Sequence, residues 1–308
     1  MKKSLILIMV AVFAVFASAC GSDASQGATG EEMTIKHKLG ETKVKKNPEK
    51  VVVFDFGSLD TLDKLGVEVT GIPQDNLPKY LSKFEAEKYE NVGGLKEPDF
   101  EKINEIQPDL IIISDRQAPM YEEFQEIAPT IHSGVDTTRY MESFKENVTN
   151  LAKIFDKEKK AEEELAKVDQ TIANLKEKVA SNDKNALIIL ANDGKVSAYG
   201  EGSRFGLIHD VYGFKPVDKN IKASTHGQSV SFEYIVDKDP DYLFVIDRGA
   251  VVGSESSAKK VVENDLVKNT KAYKEDNVVY LDPNYWYLSG GGLVSTMEMA
   301  KEVEESLK

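Results

Sequence analysis

At 308 residues the chain is longer than one ordinary core requires and points to two domains. With 41% hydrophobic and 30% charged residues it is neither a disordered chain nor a membrane-embedded one, and a net charge of −13 argues against nucleic acid as a partner, because phosphate binding needs a basic face. An anionic small ligand stays open, since the local field of a cleft can oppose the global charge.

Residues 1–19 read as an export signal, with Met1-Lys2-Lys3 as its basic start, an apolar run from Ser4 to Phe16 and the small residues Ala17-Ser18-Ala19. The only cysteine, Cys20, follows at once and resembles the lipid-modified cysteine of a bacterial lipoprotein signal. Residues 20–33 are largely small and polar, the composition of a flexible tether. The expected mature protein is extracytoplasmic, lipid-anchored through Cys20 to the outer face of the cell membrane and free of disulfides.

From Lys50 onward strand and helix signals alternate: an apolar run at Val51 to Phe54, helical spacing from Leu59 to Leu65, a strand at Val67 to Ile72, and a short helix at Phe100 to Ile106 leading into the strand Leu110 to Ile113. Such alternation predicts a mainly parallel sheet with helices on its faces. The rhythm breaks from Tyr140 to about Ala180, a stretch without Gly or Pro in which a first helix pauses near Asp156. A second runs to Val179 with Leu165, Val168, Ile172, Leu175 and Val179 at spacings of three or four. That second helix is long enough to bridge two lobes. Alternation then resumes, with strands at Ala186 to Leu190, Val196 to Tyr199, Tyr242 to Ile246 and Val278 to Leu281, helices opening near Ser203 and Ala258, and a terminal helix from Gly292 to Leu307. The expected organisation is an N-terminal α/β lobe over 34–155, a linking helix over 156–180 and a C-terminal α/β lobe over 181–308.

An internal repeat carries the functional signal. At an offset of 132, FEKINEIQPDLIIISDR (Phe100 to Arg116) aligns without gaps on FEYIVDKDPDYLFVIDR (Phe232 to Arg248), with seven of seventeen positions identical. In each copy a short helix stops before a proline and feeds a buried strand whose carboxyl end carries Asp-Arg. Ligands bind at the carboxyl ends of strands in open α/β sheets, so Arg116 and Arg248 are expected on opposite walls of one cleft. Of 39 Lys and Arg residues only four are Arg, at positions 116, 139, 204 and 248. Solubility is left to lysine, and arginine appears where its planar fork can grip oxyanions or stack on rings. Arg204 follows a glycine-rich turn near an expected helix amino terminus and is a third candidate.

Around this cleft, Trp286 and Tyr287 in YWYLSGGGL are candidate contacts, since ligand rings and guanidinium groups both stack on aromatic faces. His226 in STHGQ is a further candidate, as are Phe56 and Gly57 after the first strand and the loop Gln74 to Tyr80 with Lys79. The four histidines do not pair at metal-binding spacing, so no metal site or cofactor is expected. Gly290-Gly291-Gly292 has no Gly-Lys-Ser/Thr after it and is not a phosphate loop. An enzyme remains an alternative through Asp55 and Asp115 near strand ends, although no nucleophile elbow or metal motif accompanies them. A structural lipoprotein leaves the in-register arginines unexplained.

The lipoprotein start, KVVVFDFGSLDTLDKLGV, the long linking helix, the twice-used PDL/PDY strand and YWYLSGGGL together resemble the substrate-binding lipoproteins of iron-siderophore ABC importers. NIKASTHGQSVSFEYI, FVIDRG and WYLSGGGL resemble the petrobactin-type catecholate siderophore receptors of Gram-positive bacteria. The resemblance implies two Rossmann-like lobes joined by a long rigid helix, the helical-backbone, class III periplasmic-binding-protein type. It implies a ferric siderophore, its iron held by the siderophore itself, in the interlobe cleft, with Arg116, Arg204 and Arg248 as the three cleft arginines. Other ferric siderophores or haem are alternative ligands. It also implies that Glu101 and Glu233, the Phe-Glu of each repeat, dock a monomeric receptor on an ABC permease served by its ATPase.

Overall fold

The computed structural model describes residues 31–253 and 257–307; the export signal, Cys20 and residues 20–30 of the tether lie outside the described residues. The first described element is an antiparallel hairpin, β1 (Glu32–His37) and β2 (Gly40–Lys45), so the last two residues of the stretch expected as tether belong to β1.

The N-terminal sheet contains β3 (Val51–Val53), β4 (Gly71–Ile72), β5 (Glu90–Asn91), β6 (Leu110–Ile113) and β7 (Thr130–His132), all parallel in the order β5-β4-β3-β6-β7. Its apolar runs are buried on both faces: Val51, Val53, Leu110 and Ile112 enter one core, and Val52, Phe54, Ile111 and Ile113 the other. Helices α1 (Phe56–Leu65), α2 (Phe100–Ile106), α3 (Tyr121–Ile127) and α4 (Tyr140–Ile154) belong to this lobe. The strand expected over Val67 to Ile72 shrinks to two residues. Val67 instead packs against the helical core, and its amide is taken by the Leu62 carbonyl at the end of α1.

The second sheet is mixed. Strands β8 (Asn185–Asn192), β10 (Lys215–Pro216), β12 (Tyr242–Asp247) and β13 (Val278–Leu281) are parallel, whereas β9 (Lys195–Tyr199) runs against β8 and pairs antiparallel with the edge strand β11 (Gln228–Val230) on its other side. The Asp193-Gly194 turn, both residues at positive φ, folds β9 straight back on β8 and forces the antiparallel pairing. Helices α6 (Leu207–Asp210), α7 (Phe232–Lys238), α8 (Gly249–Val252), α9 (Ala258–Val262), α10 (Lys271–Lys274) and α11 (Leu293–Glu305) complete the chain.

Between the sheets, α5 (Glu158–Asn182) spans 25 residues, about 37 Å at 1.5 Å per residue. Its buried stripe is Ala161, Glu164, Val168, Ile172, Leu175 and Val179, with Leu165 only partly buried. One cluster unites this stripe with Leu65, Phe144 and Val148 of the first lobe and Ile188, Phe244 and Met299 of the second. The two lobes therefore share a core along α5. Leu175→Ala is expected to cost about 2–5 kcal/mol in a urea melt, because Leu175 is fully buried in that cluster.

Helix α11 packs on both α5 and α1. Its amino terminus is received by Asp60 of α1, whose carboxylate accepts the Val294 and Ser295 amides at 3.1 and 2.9 Å and the Tyr80 hydroxyl at 3.0 Å. The glycine run has its reason here. A Cβ on Gly292 would lie 2.2 Å from Asp60, and one on Gly57 would lie 3.0–3.1 Å from the Ser289, Gly290 and Gly292 backbone. Near the other end of α11, Glu302 accepts the Trp286 indole N–H at 2.7 Å and the Asp282 amide at 3.1 Å.

Burial pushes both Asp60 and Glu302 up to about 7, against the hydrogen bonds that favour their ionised forms. Between the ordinary carboxylate range and pH 7 the folded chain thus holds protons that the unfolded chain has released, so stability falls as pH rises through that window. The thermal midpoint is expected to drop between pH 5 and pH 8, and the variant Asp60→Asn/Glu302→Gln to flatten that slope. An unchanged slope in the variant would assign the pH dependence to other groups.

Candidate functional site

The cavity between the lobes measures about 900 Å³, at the upper end of small-ligand pockets. It lies outside the carboxyl ends of β3, β6 and β7, which deliver Asp55, Ser114 to Arg116 and His132, and is closed on the other side by Arg204, Phe205, Thr225, His226, Trp286 and Tyr287. Thr137 donates to the Gly202 carbonyl at 3.0 Å across its mouth.

The three arginines meet at one residue. Arg116 and Arg204 both donate to the Tyr287 carbonyl, at 2.9 and 2.6 Å, while Arg248 Nε donates to the Tyr287 hydroxyl at 2.8 Å. Their guanidinium carbons lie 5.9, 4.3 and 5.8 Å from the Tyr287 ring centre, so one aromatic ring organises all three charges. The π-helical turn Asn284–Leu288, wider than an α-turn, presents both the carbonyl and the ring of Tyr287 to the cleft. Among the described residues none of the three arginines has a carboxylate within 4 Å, whereas Arg139 pairs with Asp136, Glu142 and Glu146. Burial, and then the Arg116 charge, lower the pKa of Arg204. Burial raises that of the Tyr287 phenol, but the Arg248 hydrogen bond and the Arg204 charge outweigh it and leave the phenol more acidic than usual. Three cations held together with no carboxylate in reach among the described residues give this part of the cavity a positive potential.

Other expected site residues divide. Arg116, Arg204, Tyr287 and His226 border the cavity, with His226 exposed on the rim. Arg248 reaches the site through the Tyr287 phenol and donates its other arm to Asn192, so it anchors the ring from behind rather than forming an opposite wall. Trp286 borders the cavity from within the core, only 3% exposed and with its N–H committed to Glu302. Phe56 is not a ligand contact: at 1% exposure it packs in the core beneath the N-terminal sheet. Gly57 serves the packing against Ser289 to Gly292. The Lys79 loop is a lobe-to-lobe contact, its amide on Asn284 and Tyr80 against Tyr285 at 4.7 Å between ring centres. Arg204 sits in the turn before α6, which has only four residues, so its own charge and not a helix end supplies the field.

Lysines 36, 38 and 96 also line the cavity and escaped the sequence reading, because a chain rich in lysine gives no signal that singles them out. Asp55 is spent on capping: it accepts the Ser58 amide and hydroxyl at 2.7 and 2.8 Å. No cluster of three or more His, Cys, Asp or Glu side chains able to hold a metal ion occurs among the described residues.

Glu101 and Glu233 occupy the same place in each lobe. Each is exposed in the first turn of its helix, behind an N-cap side chain, Asp99 for α2 and Ser231 for α7. Both helices end on a left-handed residue, Gln107 and Asp239, and turn back into β6 and β12. Their first turns therefore lie level with the carboxyl ends of the strands, on the edge that carries the cleft.

Two α/β sheets on a shared helix with a cationic cavity between them define a solute-binding protein of the helical-backbone kind, and over residues 51–285 the chain belongs to the periplasmic binding protein family. It is 59% identical over 316 residues, covering 100% of both chains, to the petrobactin-binding protein YclQ of Bacillus subtilis strain 168. The crystal structure of that protein superposes with a TM-score of 0.89 at 61% identity, covering 90% of this chain and 99% of the other. The periplasmic catecholate-siderophore binding protein VctP of Vibrio cholerae superposes with a TM-score of 0.85 at 36% identity, covering 89% and 100%.

Proposed function

We propose that this chain is the extracytoplasmic receptor of an ABC importer and that it captures a ferric catecholate siderophore, petrobactin, between its lobes. The observation that carries this reading is the set of three arginines gathered on Tyr287 with no carboxylate partner among the described residues. A ferric complex with two catecholates and a citrate carries about three negative charges, which three guanidinium groups balance; Arg116 and Arg204, which border the cavity, are placed to donate charge-assisted hydrogen bonds of about 1.5–3 kcal/mol each. The similarity to a petrobactin-binding protein along the full chain supports the same ligand. Iron stays with the siderophore, and the protein recognises the complex by charge, stacking and shape.

The reading is of a binding protein and not an enzyme. Of the two carboxylates near strand ends, Asp55 is consumed by its helix cap, and Asp115 is held by Lys38 and His132. The receptor acts as a monomer, tethered through lipid on Cys20, and delivers its cargo to a permease through Glu101 and Glu233.

The test is a titration of residues 21–308 with ferric petrobactin, a ferric tris-catecholate, a ferric hydroxamate and haem, followed through the single tryptophan, Trp286, with calorimetry in parallel. Saturable binding of ferric petrobactin at nanomolar concentration, with the hydroxamate silent, is expected. Silence toward every catecholate in both measurements would remove the ligand assignment.

A further inference from the structure

The repeat that places Arg116 and Arg248 also places an aspartate before each, and the structure uses the two differently. Asp247 is consumed by backbone, accepting the amides of Ala250 at 3.1 Å and Ala258 at 2.7 Å. Asp115 caps nothing of its own loop. It is exposed and borders the cavity beside Arg116, where its Oδ1 takes Lys38 Nζ at 2.6 Å and His132 Nε2 at 3.1 Å. The His132 hydrogen bond, then Lys38, hold this carboxyl at about 2, so it is ionised throughout the physiological range. Of the other carboxylates bordering the cavity, Asp136 and Glu146 are paired with Arg139 and Asp55 is committed to its helix cap, so Asp115 places a fixed negative charge beside Arg116. Its counter-ion comes from elsewhere: Lys38 sits at the tip of the β1–β2 hairpin, the first element among the described residues.

The geometry points to Asp115 as the residue that sets how much negative charge the cleft accepts, with Lys38 as its screen. This inference rests on the siderophore-receptor reading above. An anion seated on Arg116 and Arg204 occupies the cavity that the Asp115 carboxylate also borders, and like charges sharing one cleft repel. The repulsion grows with the charge of the ligand, so Asp115 discriminates between complexes of equal shape and unequal charge. The exposed Lys38 pair is individually weak, yet its charge offsets part of the Asp115 field in the cleft.

The experiment compares wild type, Asp115→Asn, Lys38→Met and the double variant, each titrated with ferric petrobactin, the trianionic tris-catecholate and the monoanionic bis-catecholate of iron, at low and high salt. Asp115→Asn is expected to bind the trianions about threefold or more tighter, to gain less for the monoanion, and to lose the gain at high salt, where such a field is screened. Lys38→Met is expected to weaken the trianions, and to do so less when Asp115 is already Asn. Unchanged or weakened trianion binding in Asp115→Asn would overturn the inference. So would an equal loss from Lys38→Met in both backgrounds, which would make Lys38 a direct ligand contact. Wild type that binds none of the anionic complexes would overturn the receptor reading and this inference with it, whereas normal wild-type binding with indifferent variants overturns this inference alone.

Discussion

Arg204→Gln is expected to weaken ferric petrobactin binding by well over tenfold, the largest loss of any single replacement in the cleft, while leaving the empty protein as stable as before or more so. Arg204 lies nearest the Tyr287 ring, at 4.3 Å, and its guanidinium shares one carbonyl acceptor with Arg116. Two like charges on one oxygen repel in the empty cleft, so removing one relieves the free protein and deprives the bound ligand of a counter-charge. Tenfold corresponds to about 1.4 kcal/mol, below what one buried charge-assisted hydrogen bond contributes, so the loss should be easy to measure. Arg116→Ala and Arg248→Ala are each expected to cost at least tenfold, Arg248 through release of the Tyr287 phenol and ring. Isothermal titration alongside thermal melts of the empty variants separates the outcomes. Lost affinity with a lowered melting point would indicate a structural role, and unchanged affinity in all three would remove the pocket.

The second large effect separates binding from transport. Glu101→Ala combined with Glu233→Ala is expected to leave siderophore affinity within experimental error and to abolish iron uptake in cells that depend on this receptor. Both glutamates are exposed, precede a strand that ends at the cleft, and occupy equivalent turns of the two lobes, an arrangement suited to a pseudo-twofold partner with basic contacts. Each also stabilises its helix by about 0.3–1 kcal/mol at most, too little to unfold the protein. Uptake at the wild-type rate would leave helix stabilisation as their only role.

The shared core bears on how such a receptor moves. Helix α5, the Asp60 seat for α11 and the Gly57–Gly292 approach join the lobes through packing as well as through chain, so closure around ligand should be a small rocking rather than a wide hinge.

Much of this protein is legible in its sequence because the signals are local. The apolar runs around Val52 and Ile111 and the three- and four-residue spacing of Val168, Ile172, Leu175 and Val179 follow from periodicity alone, and the matching Asp-Arg of the repeat places two guanidinium groups at equivalent strand ends. What the tertiary structure decided is what those groups meet. That Tyr287 gathers all three arginines depends on a π-turn whose Tyr287 lies 39 residues or more from each of them in sequence, and no pattern announces it. The same holds for Phe56, which stands beside the cleft in sequence and beneath the sheet in space, and for Gly290 to Gly292, whose purpose is the approach of α11 to Asp60. The two aspartates of the repeat make the physical reason plain. The same Asp-Arg pair stands at equivalent ends of the two repeat strands, but the partner of each aspartate is chosen by whatever chain folds against it, a hairpin lysine for one and loop amides for the other.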